Sequence, residues 1–378
     1  MVGLRRIGQG LATAWRRVDP VLLICTLILT GISLLTVFGA VDNFGMSKLK
    51  MQLAMAVLGV VATVVIANLD YHTVVERTFI LMFFLSVALL TVTLLFGSSG
   101  ENRETANRSW LTIPGIGIAI QPSEFVKIAF VCTFAKHLSV ARDTINHPKT
   151  LLPLAIHALL IVGLILLSGD LGVALVYIAL VLIMLFCAGL HGWYFGGGLL
   201  AVAVAFPFLW DHLAVYQQER ILVGFDPTLD PTGKGWQPLL SIQCMENGGL
   251  FGVGLFGGGD YEVLAASHTD FILATVCEKF GFVGGVIVIG TMTVLVLRIL
   301  WIGRRASHDY GLYLCVGVAA LLIAQTVENV GMCLGMLPVI GLTLPFVSCG
   351  GSSLLATFML VGIVHSVSAH HPTRRMGE

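Results

Sequence analysis

Ser267-His268-Thr269-Asp270 stands directly before a long apolar run, residues 271–297. A carboxylate there has two readings. It caps the helix that follows, where the helix dipole favours negative charge, or it is a general base taking a proton from a hydroxyl at the membrane–water boundary. Glu278 follows eight residues later, close to a whole number of turns. Both acids are therefore expected on one helix face, about 12 Å apart along the axis. Glu124 and Lys127 are three apart, so they share a face and can pair, either as a structural ion pair or as charges serving a site. Gln121-Pro122-Ser123 precedes them, and Pro122 suits a first helical turn. Gln325, Glu328 and Asn329 cluster on one face of another apolar run, and Asp170 opens a further one. A charge in the bilayer centre costs several kcal/mol unless paired. Polar groups at one depth therefore predict a hydrated cavity open to one side.

Pro338 through Ser353 carries two prolines and three glycines, which forbids a regular helix. Ser348-Cys349-Gly350-Gly351-Ser352-Ser353 then opens the last apolar run. Free backbone N–H groups there suit an anion such as a phosphate, and a tight serine-capped turn is the alternative. Trp110, with Arg108 two residues earlier, is either an interfacial anchor or a ring that stacks on a sugar with a cation near its phosphate. The segment 211–270 holds ten glycines and eight acids against Arg220 and Lys234. A loop of that length is either functional or disordered, and its apolar stretches around Leu250, Leu255 and Phe256 favour packing as short helices. Its acids are either solvated or hold a divalent cation (Mg or Mn).

These residues must be positioned by membrane helices. Only 11% of the 378 residues are charged and 57% are hydrophobic, against about 25% charged in soluble domains. Net charge is zero, so nothing recruits nucleic acid. Runs of about 20 apolar residues mark spans, and ten are expected: 21–40, 51–68, 78–97, 123–138, 151–168, 171–189, 194–210, 271–297, 311–331 and 351–368. The fold class is an all-α integral membrane protein of about ten transmembrane helices, in a single domain over 1–378. With the N-terminus inside, 13 Lys and Arg fall in inner segments, six in outer ones and two (Lys127 and Lys279) within spans, which favours an N-in, C-in topology. Residues 1–20 and 369–378 are then cytoplasmic, and 211–270 is a large extracytoplasmic loop between the seventh and eighth helices. The unusual connections all fall on that outer face. Arg5, Arg6, Arg16 and Arg17 precede an apolar run too long for a signal core and without a cleavage site. The eight cysteines lack any C-x-x-C spacing and read as small buried thiols, with a bridge among Cys244, Cys333 and Cys349 left open.

Taken together, the motifs resemble the SEDS family (shape, elongation, division and sporulation). The resemblance is carried by Arg108-Ser109-Trp110, Gln121-Pro122-Ser123-Glu124 with Lys127, Asp170-Leu171-Gly172, and Gln217-Gln218-Glu219-Arg220 before Asp226-Pro227. It continues through Gly248-Gly249 with Gly252 and Gly254, His268-Thr269-Asp270-Phe271, Glu278 with Gly281, Asn329 to Met332, and Leu337-Pro338 through Ser353. It spans nearly the whole chain in the expected order. It implies a peptidoglycan glycosyltransferase that polymerises lipid II, a disaccharide-pentapeptide on undecaprenyl pyrophosphate, at the outer face of the bacterial cytoplasmic membrane. It also implies a class B penicillin-binding protein as partner within the elongation or division machinery, and no organic cofactor.

In that reading Asp270 matches the family's essential aspartate and deprotonates the attacking sugar hydroxyl. Arg220, Lys127, a divalent cation and the Gly350-Gly351 turn are candidates for stabilising the leaving pyrophosphate. Arg108, Trp110, Gln121, Glu124, Asp170, His268, Glu278, Asn329, Ser348 and Ser352 complete the expected substrate contacts. One direct displacement turns an α-linked donor into a β-1,4 product. The chain departs from the family pattern at Ala265-Ala266 (usually Pro-Glu), Lys279 (usually acidic), Cys349 (usually Tyr) and Leu240 (usually Gln). The short termini favour an elongation role, for cell shape, whereas Gly341-Leu342-Thr343-Leu344-Pro345 is more like the division and sporulation branch. A lipid II flippase and a non-catalytic scaffold for the penicillin-binding protein are the rival classes. The flippase needs a polar path through the inner leaflet, and the scaffold has no need of one polar cluster.

Overall fold

A computed structural model of the chain describes residues 17–98, 108–112, 119–212 and 215–370, without the side chains of residues 209, 216, 217 and 220. Ten long helices occupy the ten expected positions: α1 Pro20–Gly39, α2 Met46–Asn68, α3 Tyr71–Phe96, α4 Pro122–Ala141, α5 Pro148–Leu167, α6 Leu171–Cys187, α7 Gly192–His212, α8 Ile272–Arg304, α9 Asp309–Cys333 and α10 Gly351–Ala369. Seven of them are long and apolar enough to cross a membrane, and α6 and the Gly192–Phe208 part of α7 are shorter apolar helices. The remaining one, α4, is the helix that carries Glu124, Lys127 and Lys136. A two-residue hairpin, β1 Leu111–Thr112 with β2 Ala119–Ile120, is the one sheet among the described residues.

Local chemistry sets the helix starts. Proline occupies the first turn of α1, α4 and α5, where its missing N–H costs nothing. Asp19, Asp70 and Asp170 cap α1, α3 and α6 by accepting backbone N–H bonds, one route by which orphan donors are satisfied.

Contacts between distant helices fix the alternating direction. At one end Arg298 of α8 forks onto Asp19 at 2.7 Å, and the Tyr71 ring lies tilted against that of Tyr310 of α9. At the other end Lys48 of α2 meets His268, and Lys279 of α8 reaches the Gly39 carbonyl at the end of α1. Helix α9 is buried over most of its length. Against α2, α10 packs so closely that a Cβ on Gly59 would lie 2.3 Å from the Phe358 ring, and Thr63 donates to the Phe358 carbonyl. Helix α7 stands at the rim with Leu199, Leu200 and Phe208 largely exposed, as a lipid-facing helix requires.

Several expectations change. Helix α2 begins at Met46 rather than 51, so Lys48 and Lys50 ride on its first turns instead of in a connection. Helix α8 runs past 297 to Arg304 and is broken at Gly281, whose φ of 69° interrupts the helix. All eight cysteines are free thiols, so Cys244, Cys333 and Cys349 form no bridge.

The loop after α7 is organised, as its apolar stretches predict. It forms helices Val215–Phe225, Trp236–Gly248 and Asp260–Val263. Residues 249–254 fill the break in α8: Phe282 and Val283 donate to the Gly249 and Leu250 carbonyls, and Val253 and Gly254 donate to those of Glu278 and Lys279.

Candidate active site

Asp270 sits in a turn that two other segments grip. Ala266 takes a φ of 53°, and the Thr269 and Phe271 amides donate to its carbonyl. The Asn329 amide donates at 2.7 Å to both the Asp270 and Leu342 carbonyls, tying α9 to two loops at once. Ser348 donates at 2.6 Å to the Thr269 carbonyl and accepts from the Leu344 amide. The Cys349 amide donates to the His268 carbonyl at 2.8 Å. Residues 342–349 and 267–270 are thereby zipped together, which holds Asp270 without using its carboxylate.

That carboxylate does not cap α8. The cap position belongs to Phe271, and no side-chain cap bond is made there. The general-base reading is the one that leaves the carboxylate available. Burial pushes its pKa up to about 6, against a hydrogen bond from the Thr269 hydroxyl that acts the other way. Gly341, with φ of 73°, brings its backbone against the carboxylate, and a Cβ there would touch Oδ2 at 3.5 Å. Nearby, Lys48 Nζ and His268 Nε2 lie 2.9 Å apart, with the Phe44 ring beside the imidazole. Lys48 carried no motif, and only the pairing of α2 with the 268 turn places it here. Helix α10 starts at Gly351 after the cap residue Gly350, with no side-chain cap, and Gly351 and Ser352 are half-buried. The last acid of this group is Glu328, near enough for its charge and that of Asp270 to act on each other. Both Glu328 carboxylate oxygens are buried without a hydrogen-bond partner among the described residues.

A second constellation gathers at the start of α4 and α6. Gln121 donates to Asp170 at 3.0 Å, and the Ser109 hydroxyl also bonds that carboxylate. Burial raises the Asp170 pKa, while those bonds and the Val173 amide oppose the shift. Lys127 Nζ donates to Glu124 at 2.6 Å, with 1% and 6% of the two side chains exposed. Arg108 is exposed and its amide donates to the Ser168 carbonyl, while Trp110 is half-buried in a bridge with Ser98. Residues 338–341 separate the two constellations. A Cβ on Gly172, at the start of α6, would lie 2.5 Å from the Ile340 carbonyl, and one on the neighbouring Gly341 would touch Asp270.

The expected common cavity is therefore corrected to two polar groups on either side of that segment, and Glu278 belongs to neither. Helical spacing does not apply between Asp270 and Glu278, because Asp270 lies in the turn before α8. The Glu278 carboxylate instead accepts three backbone N–H bonds, from Gly259 at 2.8 Å, Asp260 at 3.2 Å and Tyr261 at 3.0 Å. Lys279 complements it: its ammonium donates to the Gly39, Leu255 and Gly257 carbonyls and lies 4.2 Å from the Tyr261 ring centre. The pair nails the 250–261 loop to the bundle. Replacing Lys279 with Met should strand the buried Gly39 carbonyl and the half-buried Leu255 and Gly257 carbonyls, at up to about 1–3 kcal/mol for each group left unsatisfied. The measurement is loss of thermal stability together with faster proteolysis within 250–261. Unchanged protection of that loop would contradict the anchoring role.

Arg220 lies on the loop helix Val215–Phe225, and its side chain, like that of Gln217, is outside the described residues. Among the described residues no three or more His, Cys, Asp and Glu side chains converge as a metal-holding group.

Residues 15–373 match the FtsW/RodA/SpoVE family, described as cell cycle proteins. A probable peptidoglycan glycosyltransferase FtsW from Trichlorobacter lovleyi is 36% identical over 362 residues, covering 93% of each chain. The peptidoglycan glycosyltransferase MrdB of Escherichia coli is 33% identical over 367 residues, covering 95% of this chain and 96% of its own. A solved chain from a peptidoglycan synthase complex, described for coordination of polymerization and crosslinking, superposes with a TM-score of 0.80 at 27% identity. It covers 94% of this chain and 99% of that one.

Proposed function

The chain belongs to the FtsW/RodA/SpoVE family of cell cycle proteins and is a multi-pass membrane peptidoglycan glycosyltransferase; from that premise we propose that it polymerises lipid II with Asp270 as the general base. The observation that carries the assignment is the Asp270 carboxylate itself. It is gripped through its backbone, uninvolved in capping α8, and shifted by burial towards neutral pH, where a base works best.

In the proposed step the acceptor sugar's hydroxyl gives its proton to Asp270 as its oxygen attacks the donor's anomeric carbon. The new C–O bond forms as the bond to the pyrophosphate oxygen breaks, and that electron pair leaves with the lipid pyrophosphate. One displacement inverts the anomeric centre. For the developing negative charge we assign Lys48 beside His268, the N-terminal amides of α10 at Gly351 and Ser352, and Arg220, since cations and free N–H groups are what a departing diphosphate requires. On the far side of residues 338–341, Asp170, Gln121, Arg108 and Trp110 are assigned to a more distant part of the substrate, with the buried Glu124–Lys127 pair acting through the charge of Lys127 on Asp170. Asn329 and Ser348 act by positioning the Asp270 turn.

A divalent cation such as Mg2+ or Mn2+ prefers oxygen ligands and keeps waters and substrate phosphates in its shell. Glu328 fits it, with two buried, unpartnered carboxylate oxygens beside Asp270. Glu328 would hold the ion, which supplies charge neutralisation for the diphosphate. We place this site at the extracytoplasmic face of the bacterial cytoplasmic membrane, as the Lys and Arg distribution favours, and assign a class B penicillin-binding protein as partner. The synthase complex that this fold superposes on supports that pairing.

The test is polymerisation of labelled lipid II by the purified protein, with and without a chelator and a class B penicillin-binding protein. Glu328→Gln should raise the divalent-ion concentration for half-maximal rate about tenfold, the loss expected when a carboxylate ligand becomes a neutral amide. An unchanged ion requirement would remove Glu328 from the cation site. The FtsW and MrdB relatives match at 36% and 33%, so identity does not separate division from elongation. The penicillin-binding protein that raises the polymer yield identifies the branch.

A further inference from the structure

Two cations lie at matching depth at the end of the bundle opposite Asp270. Arg77 is six residues into α3 from Tyr71, and Lys136 is five residues before α4 ends at Ala141. At about 1.5 Å per residue, each stands roughly 8–9 Å inside its helix end. Long basic side chains that close to a helix end reach the headgroup region by snorkelling. Between the two antiparallel helices lies an open surface cavity of about 660 Å3, lined by Glu76, Arg77, Ile80, Lys136, His137 and Val140 among others.

The charges in this cavity are unevenly satisfied. Lys136 pairs with Glu76 at 3.0 Å, and His137 faces His157 through their Nδ1 atoms at 3.3 Å. The exposed Arg77 side chain makes no ion pair or hydrogen bond among the described residues. A guanidinium that snorkels at a helix end takes its counter-ion from outside the protein. The lip of the cavity is the opposite in character, with Ile80 67% and Val140 75% exposed. An occupant must bring an anion for the guanidinium and hydrocarbon for the lip within one molecule.

We propose that this cavity binds an anionic phospholipid, with its phosphate on Arg77 and an acyl chain along Ile80 and Val140. A planar guanidinium matches phosphate oxygens two at a time, and basic pockets between membrane helices at the cytoplasmic side recognise such headgroups. The site is remote from Asp270 and independent of the reaction assigned there.

The whole chain, reconstituted into bilayers of equimolar phosphatidylcholine and phosphatidylglycerol and released into mild detergent, is weighed with its retained lipid by native mass spectrometry. Wild type should retain phosphatidylglycerol preferentially. Arg77→Gln should lower the phosphatidylglycerol-to-phosphatidylcholine ratio about fivefold, the factor that one interfacial cation contributes, and Arg77→Lys should fall between. Arg304→Gln removes an exposed cation at the same end but outside the cavity and should change nothing. No preference in wild type, an equal loss in Arg304→Gln, or displacement of the lipid by added inorganic phosphate would each overturn the proposal. The last outcome would mark a free-anion site. Should Arg77→Gln fail to fold, the wild-type melting temperature decides: phosphatidylglycerol raises it over phosphatidylcholine alone if the site exists, and does not otherwise.

Discussion

Asp270→Asn should abolish glycan polymerisation while leaving the protein folded. The substitution keeps shape and volume and removes only the basic oxygen, and a positioned general base is worth roughly 10²–10⁴-fold in rate. The backbone grip of Asn329 and Ser348 on the turn does not involve the Asp270 carboxylate, so it survives the change. The pH profile gives a second reading. The base works ionised, and burial moves its midpoint from the ordinary aspartate value of 3.8 to about 6. The wild-type rate should therefore rise with pH and level off above about 7, with about a tenth of the plateau at pH 5.

Stability should run the other way. Between 3.8 and about 6 the folded chain holds a proton that the unfolded chain has released, so rising pH through that window costs stability. At pH 8 Asp270→Asn should be more stable than wild type by about 1–3 kcal/mol, and below about pH 3 the two should be equal. Equal polymer from both proteins in the lipid II assay would leave the enzyme class standing and remove Asp270 as its base.

The second large effect belongs to the Glu124–Lys127 pair. Lys127→Met should destabilise the bundle by about 3–5 kcal/mol, because removing one partner of a sealed pair strands the other charge away from water. The double variant Glu124→Gln with Lys127→Met should recover most of that loss, since two neutral side chains of similar volume need no pairing. Its polymerisation should nonetheless stay at least about tenfold below wild type, because neutral groups restore the packing but not the positive potential that reaches Asp170. Thermal melts of the three variants test the first claim. Lipid II polymerisation by the stable double variant tests the second, and full activity there would make the pair structural only.

Much of this was written locally in the chain. Apolar runs of span length fix ten helices, because burying backbone polar groups in hydrocarbon leaves few other conformations. Helix starts at Pro20, Pro122, Pro148 and Asp170 follow from capping and from the fixed proline φ. The i,i+3 pairing of Glu124 with Lys127 is likewise a property of one helix. The motif order alone identified the family, and with it the reaction class.

Tertiary structure decided what depends on residues far apart in sequence. The eight-residue spacing put Glu278 on the face of Asp270, yet three loop amides claim its carboxylate and the turn at Ala266 takes Asp270 out of the helical register. Lys48 counts in the sequence only as a cation of an outer connection and is brought to His268 across 220 positions by the packing of α2. Lys279, a departure from the family pattern, proves to be bonded to three carbonyls from two distant places in the chain, the end of α1 and the 255–257 loop. Sequence periodicity reports which face of an element a residue occupies. It carries no information on which partner that face meets, because that choice is made only when helices separated by scores of residues pack and every buried polar group must find its bond.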